Sequence, residues 1–313
     1  MTHQVIGKRH RKFEGNDKAT GRAIYADDIV LPRMLHAKIL RSPHAHARII
    51  KIDCSEALAM PGVIDVLLGE ELPTRYGIIP WTPDEQALAV DKARYVGDGI
   101  AAVAAIDEDT ANAALKVIRV TYDVLEPLMS PEQALASEQV IHDYNPRQVK
   151  KGNISKLVEL SFGDIDQAFS DSDVVVENDY FFEGSTHAPI EPHCAVAQYD
   201  ESGLLTLWSA TQVPHYLHRE LAKVLELDAA RIRVIQPALG GAFGGKSEPF
   251  DLEFVTSKLA MKTGRPVKLL YTREEVFYSH RGRHPMQMHF RTGATKEGKL
   301  KSVQSKITID GGA

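Results

Sequence analysis

A chain of 313 residues, 43% hydrophobic and 25% charged, has the composition of a soluble globular protein and is long enough for two hydrophobic cores. Its net charge of −5 offers no field for nucleic acid or anionic lipid, and no apolar run reaches transmembrane length. Two cysteines, Cys54 and Cys194, cannot hold an all-cysteine iron–sulfur cluster or a cysteine-rich zinc site, so electrons from any redox reaction leave through a partner chain or a bound cofactor.

In chain order, residues 1–19 read as a polar tail whose basic cluster, Lys8 to Lys12, is solvated. Residues 20–128 read as a mixed α/β module. Strand-like runs at 35–40, 47–52 and 63–68 are separated by the turn signals Ser42-Pro43 and Pro61-Gly62. The apolar run 99–106 leads into Asp107-Glu108-Asp109, an acidic start that caps and charge-complements a helix over about 110–117. A return strand at 118–124 then suggests a crossover unit. Residues 129–160, with Ser130-Pro131, Asn145-Pro146 and Lys150-Lys151-Gly152, read as a linker.

From residue 161 a second α/β region is expected, with strands at 173–180 and 204–209 and a helix over 213–227. In that helix Leu217, Leu221, Val224 and Leu225 recur at i, i+4, i+7 and i+8, one apolar face. Ile232 and Val234 alternate as a buried strand. A helix over 249–262 follows, with Ser247 as N-cap, Pro249 in its first turn and Gly264-Arg265-Pro266 as its stop. The last strand, 301–310, runs straight into Gly311-Gly312-Ala313 with no capping element, so the chain is expected to be interrupted there.

The most informative segment is Gly240-Gly-Ala-Phe-Gly-Gly-Lys-Ser247. It fits G-x-x-x-x-G-K-[ST] between a strand and a helix, the pattern by which backbone amides and a lysine cradle phosphate in P-loop NTPases. Against that reading, Gln236-Pro237 separates strand from loop, and too few residues follow Ser247 to complete a nucleotide-binding sheet. A glycine turn with a purely structural purpose is a further reading.

With its surroundings, the segment resembles the pterin-binding loop of the xanthine oxidase/aldehyde oxidase family of molybdenum hydroxylases. Thr211-Gln-Val-Pro-His215 is similar to the family's Thr-Gln segment. Arg231-Ile-Arg-Val-Ile235 before the loop, and Thr272-Arg-Glu-Glu275 and His280-Arg-Gly-Arg283 after it, carry the same resemblance. Gly21–Tyr25, Leu40–His46 and Tyr95–Ile100 resemble the α/β hammerhead domain. The strings Arg41–Arg48, Ala101–Asp109 and Thr211–His215 look most like large subunits of 4-hydroxybenzoyl-CoA reductase.

The resemblance implies an α+β (mixed α/β) fold, with a hammerhead domain at 20–128, a linker at 129–160 and an incomplete first molybdopterin-binding domain at 161–313. It implies a molybdenum cofactor, either free molybdopterin or its cytosine dinucleotide, bound by Gln212, Gly240, Gly241, Ala242, Phe243, Gly244 and Gly245. Gln212 and Phe243 would lie beside the molybdenum without ligating it. It further implies 2Fe-2S and FAD subunits as partners, and a C-terminal molybdopterin-binding half that carries the catalytic glutamate beyond residue 313. No catalytic residue is therefore expected in this chain, and the chain alone is expected to be inactive.

The implied substrates are aromatic, N-heterocyclic, aldehyde or aryl-CoA compounds. Ser247 stands where xanthine-oxidising members carry a glutamate, with Glu248 one residue later on an expected helical start, which disfavours purines. Ser247 and Glu191 are the substrate-side candidates. No nucleic-acid or membrane partner is expected, and the location is expected to be cytoplasmic. A truncated product that binds no cofactor is the non-enzymatic alternative. The histidine pairs His215/His218 and His44/His46 lack a carboxylate at ligand spacing and read as packing or surface residues. Cys194 beside His193 has the form of an activated thiol, but a small buried cysteine is the simpler reading.

Overall fold

The computed structural model describes residues 3–79, 83–145, 151–279 and 281–311; Pro146 and Lys150 of the expected linker, His280 and Gly312-Ala313 lie outside the described residues. In the N-terminal portion the strands are β1 (Leu35–Arg41), β2 (Ala47–Asp53), β3 (Val63–Leu68), β4 (Lys92–Ala93), β5 (Gly99–Ala105) and β6 (Arg119–Val124). Its helices are α1 (Gly15–Ala19), α2 (Ser55–Leu58), α3 (Glu108–Leu115) and α4 (Pro131–Ala136). The C-terminal portion has β7 (Val174–Phe182), β8 (Cys194–Tyr199), β9 (Leu205–Ser209), β10 (Ile232–Ile235), β11 (Val267–Leu270), β12 (Met286–Ala294) and β13 (Leu300–Ile309). Its helices are α5 (Ile165–Ser170), α6 (Pro214–Val224), α7 (Asp251–Thr263) and α8 (Arg273–Tyr278).

A seven-stranded sheet in the order β10-β9-β8-β11-β1-β5-β3 runs through both portions, joined where β1 lies parallel to β11. Within it β5 is buried along its whole length. Alternation sends Ala102 and Ala104 to the core shared with α7, and Ala101 and Val103 to the core shared with α2 and α3. Small residues on β5 let helices approach both faces. The join is reinforced by Arg41 at the end of β1. Its buried guanidinium bonds Asp251 of α7, Glu275 of α8 (3.0 Å) and the Gly97 carbonyl (3.4 Å), and Tyr271 donates to Asp251.

Three expectations are corrected. β6 does not complete a crossover beside β5, because both edges of β5 are taken by β1 and β3; it pairs antiparallel with β2 in the small sheet β4-β2-β6. The stretch 129–160 contains α4, whose Ser130-Pro131 start caps a helix instead of breaking the chain (Ser130 Oγ accepts the Gln133 N–H, 3.3 Å). α7 starts at Asp251, beyond Ser247 and Pro249, because the Glu253 carboxylate accepts the Phe250 N–H (2.8 Å). Its stop is as expected, at Gly264 with φ +62°.

The third sheet, β13-β12-β7, is mainly apolar on one face. Across that face the register aligns Val176–Thr292–Val303, Asn178–Phe290–Ser305, Tyr180–Met288–Ile307 and Phe182–Met286–Ile309. The other face carries Glu177–Arg291–Gln304 and Asp179–His289–Lys306, with Phe169 of α5 under the Arg291 guanidinium (4.2 Å). On the apolar face the strand residues of β7 and β13 stay open, from 40% exposed at Phe182 to 53% at Ile309. Among the described residues, no helix is long and apolar enough to cross a membrane.

Candidate functional site

β10 and α7 are joined by residues 236–250, which close over the end of the large sheet where β9 finishes and β8 begins. Two side chains from that end hold the loop. Gln212, just past β9, donates its backbone N–H to the Lys246 carbonyl (2.8 Å). Its side-chain Oε1 accepts from the Gly244 N–H (3.1 Å), the Lys246 N–H (3.2 Å) and the Ser247 hydroxyl (3.2 Å). Three donors identify that atom as the oxygen, so the exposed NH2 is the end left to donate outward.

Glu191, just before β8, is the second clamp. Its Oε2 accepts from the Gly240 N–H (2.9 Å) and from the Lys246 ammonium (2.7 Å). Lys246 is only 1% exposed, and burial pulls its pKa down against the opposing pull of Glu191. His193 supports the loop from beneath, with Nε2 3.4 Å from the Gly245 carbonyl and its ring edge-on to Phe250.

The backbone shows why glycines are placed here. Gly241 (φ +108°) and Gly244 (φ +96°) take left-handed conformations, and a Cβ on Gly240 would sit 2.7 Å from Glu191 Cβ. Phe243 takes φ +56° without being glycine and holds its ring 72% exposed. That conformation costs roughly 1–3 kcal/mol, so the surrounding bonds must enforce it. Gly245 N–H returns to the Ala242 carbonyl (2.8 Å) and Ser247 N–H to the Gly244 carbonyl (3.2 Å). The N–H groups of Gly241, Ala242 and Phe243 find no acceptor among the described residues. Three consecutive unspent amides beside the Gln212 NH2 are donors open to acceptor oxygens, while the space beside Gly240 and Gly241 is taken by Glu191 and by the Phe243 ring.

The segment before β8 completes the wall. Ala188 takes φ +41°, and the Arg273 guanidinium donates to the carbonyls of Pro189 (2.7 Å) and Ile190 (2.5 Å). Ile190 is thereby displayed at 88% exposure. Sequence reasoning notices Arg273 only as part of a string; this clamp, the Glu191–Lys246 pair and the His193 support have no local signature.

The phosphate-loop reading fails on this geometry. Lys246 is buried on Glu191, and the helix begins at Asp251, so the loop amides do not lead into a helix N-terminus. Glu248 is not on a helical start either; it lies in the loop and accepts from Arg281 Nε (3.1 Å). Burial pushes the Cys194 thiol up to about 12, which makes it a packing residue and no nucleophile. Among the described residues, no group of three or more His, Cys, Asp or Glu side chains could hold a metal ion.

Comparison with known proteins decides the family. Residues 142–313, more than half of the chain, match the family described as molybdopterin cofactor-binding domain. Residues 20–126 match the aldehyde oxidase and xanthine dehydrogenase a/b hammerhead domain. The chain belongs to the xanthine oxidase family of molybdenum hydroxylases. It is a molybdopterin-binding part of such an oxidoreductase. It is 41% identical over 315 residues to the nicotinate dehydrogenase large molybdopterin subunit of Eubacterium barkeri, covering 99% of this chain and 72% of that one. It is 38% identical to a probable xanthine dehydrogenase subunit of Bacillus subtilis, covering 99% of this chain but 41% of that protein. The crystal structure of quinoline 2-oxidoreductase from Pseudomonas putida 86 superposes with a TM-score of 0.86 at 29% identity, over 96% of this chain and 38% of that one. The chain thus spans well under half the length of two of these three family members.

Proposed function

We propose that this chain forms one wall of the molybdopterin site in a multi-subunit hydroxylase of nitrogen heteroaromatic rings. The observation that carries the reading is the row of unspent amides at Gly241, Ala242 and Phe243 beside the outward NH2 of Gln212. These donors would hold oxo and phosphate oxygens of the cofactor, free or as its cytosine dinucleotide, and the exposed Phe243 ring would shield it. The bound cofactor would supply two-electron redox chemistry at molybdenum. This chain's own residues bind and orient it.

Each carboxylate near the loop already holds a cation: Glu191 Oε2 accepts from Lys246 and from the Gly240 N–H, and Glu248 accepts from Arg281. A general base must face the reacting atoms within hydrogen-bond reach. We assign it to a second molybdopterin-binding half, and the uncovered apolar face of β13-β12-β7 supports such a neighbour. Two cysteines cannot supply the thiolates of an iron–sulfur cluster, which assigns the clusters to partner subunits; a flavin subunit is assigned alongside them on the family resemblance alone. Three similar proteins are named for nicotinate, xanthine and quinoline, all planar nitrogen heteroaromatics, which supports that substrate class over an aryl-CoA thioester.

The test is the native complex, tagged on this chain and purified from its own host. About one molybdenum per chain is expected, with the pterin released as an identifiable nucleotide or free form. Gln212→Ala should lower the metal content several-fold. A metal-free complex would overturn the reading in favour of a product that binds no cofactor. Turnover of 4-hydroxybenzoyl-CoA, with no oxidation of nicotinate, xanthine or quinoline, would replace the substrate class and leave the cofactor assignment standing.

A further inference from the structure

Between α4 and α5 the chain crosses a stretch that leaves its own backbone unused. Residues 155–162 run with neither turn nor bend, outside every helix and strand. Over residues 157–163 no N–H and no carbonyl has a bonding partner among the described residues. Consecutive backbone donors and acceptors are thus left to solvent, the condition of a strand with an open edge.

Both ends of the stretch are anchored. At its start Lys151 and Ile154 form an antiparallel bridge. Asn153 ties that turn to the chain before it: Nδ2 donates to the carbonyls of Ala134 (3.0 Å) and Gln139 (2.9 Å), and Oδ1 accepts the Ile141 N–H (2.9 Å). At its end Gly163 takes φ +69°, and Asp164 caps α5 by accepting the Gln167 N–H (3.0 Å). α5 packs on β12 and β13, with Phe169 buried. The stretch is therefore held out between two fixed points.

In an extended chain successive side chains face opposite sides. Val158, Leu160 and Phe162 share one side, and Leu157, Glu159 and Ser161 the other. The first three are 64%, 77% and 85% exposed. A solvated linker gains nothing from three large apolar side chains in register. A strand that joins another sheet needs both features, the open backbone for affinity and the alternate apolar side chains for fit. The partner follows from position and size. The stretch leads through α5 to the sheet β13-β12-β7, whose apolar face is also bare. This chain spans well under half of two family members it matches, which leaves in those proteins a body larger than this one.

We infer that residues 157–162 add as a strand to an open sheet edge of the second molybdopterin-binding half, with Val158, Leu160 and Phe162 turned into that half's apolar side. The partner rests on the function proposed above; the geometry rests on the open backbone. The test is hydrogen exchange of the native complex, read on the peptide covering residues 156–163. Pairing along one edge bonds alternate N–H groups, so about half of these amides should exchange at least about 100-fold more slowly than in the free synthetic peptide. A photo-crosslinker in the strand, Ser161→p-benzoylphenylalanine, should join this chain to the second half. Leu160→Asp, at an exposed and unbonded position, should lower the co-purifying second half at least about ten-fold, and Glu159→Gln on the other side should not. Free exchange throughout, in a complex that holds the second half and molybdenum, would overturn the inference and leave the proposed function standing. A crosslink to a second copy of this chain or to an iron–sulfur subunit would also overturn it, since the strand then serves another interface. A native complex with no second half would overturn both.

Discussion

Lys246 illustrates how a single side chain separates two readings of the same glycine loop. A phosphate-binding lysine must be offered to the ligand, whereas this one is buried against Glu191 and shares that carboxylate with the Gly240 N–H. Removing one partner of a buried pair leaves the other charge uncompensated, at a cost of roughly 3–5 kcal/mol. Lys246→Met should therefore lower the melting temperature by about 10 °C, at the 2–4 °C per kcal/mol expected for a chain of this size. The double variant Glu191→Leu/Lys246→Met should recover part of the loss, since no charge is then stranded. A single variant melting within about 2 °C of the parent would show that the pair does not hold the loop. The sequence reads the glycines, Phe243 and Gln212 as one site because motif and order survive in linear form, and Gln212 does bond the loop. Glu191 reads there as facing substrate, because nothing in a string shows that a lysine 55 residues away is its partner.

Secondary-structure elements are legible where one physical signal dominates. α6 follows its apolar period, and Leu217, Leu221, Val224 and Leu225 are all buried. The sequence starts α7 two residues early, because the obvious cap, Ser247, is drawn off to Gln212, and the true start depends on Glu253. That carboxylate is wholly enclosed, accepting from Phe250 N–H and the Ser209 hydroxyl (2.8 Å), and burial pushes it up to about 7. A carboxyl whose folded pKa lies above its unfolded value of 4.5 binds its proton more tightly when folded. Its contribution is fully present below about pH 4.5 and is lost as pH rises through 7, by about 3 kcal/mol in all. Glu253→Gln keeps an acceptor oxygen but cannot ionise. In urea unfolding, its stability relative to the parent should rise between pH 4.5 and 8; a difference that stays flat across that range would assign the pH dependence elsewhere.

At the scale of the molecule, composition and order foretell two α/β portions but not the sheet that runs through both. Parallel pairing of β1 with β11 joins segments more than 200 residues apart, and no local pattern encodes such a pairing. The three-stranded sheet β13-β12-β7 raises the opposite issue. Its alternation is readable strand by strand, yet its apolar face has no cover among the described residues. Val303→Lys, on the edge strand β13 of that face, should leave the fold of this chain nearly unchanged, because the side chain is already half exposed. It should make the separate chain more soluble, by breaking up an exposed apolar patch. In the native complex the same lysine would be buried without a counter-charge, so retained molybdenum and the co-purifying molybdopterin half should fall about ten-fold or more. Gln304→Lys, one residue on and on the polar face, should change neither quantity. If Val303→Lys assembles and retains metal like the parent, this face looks onto solvent in the complex, and the second half must attach around the glycine loop alone.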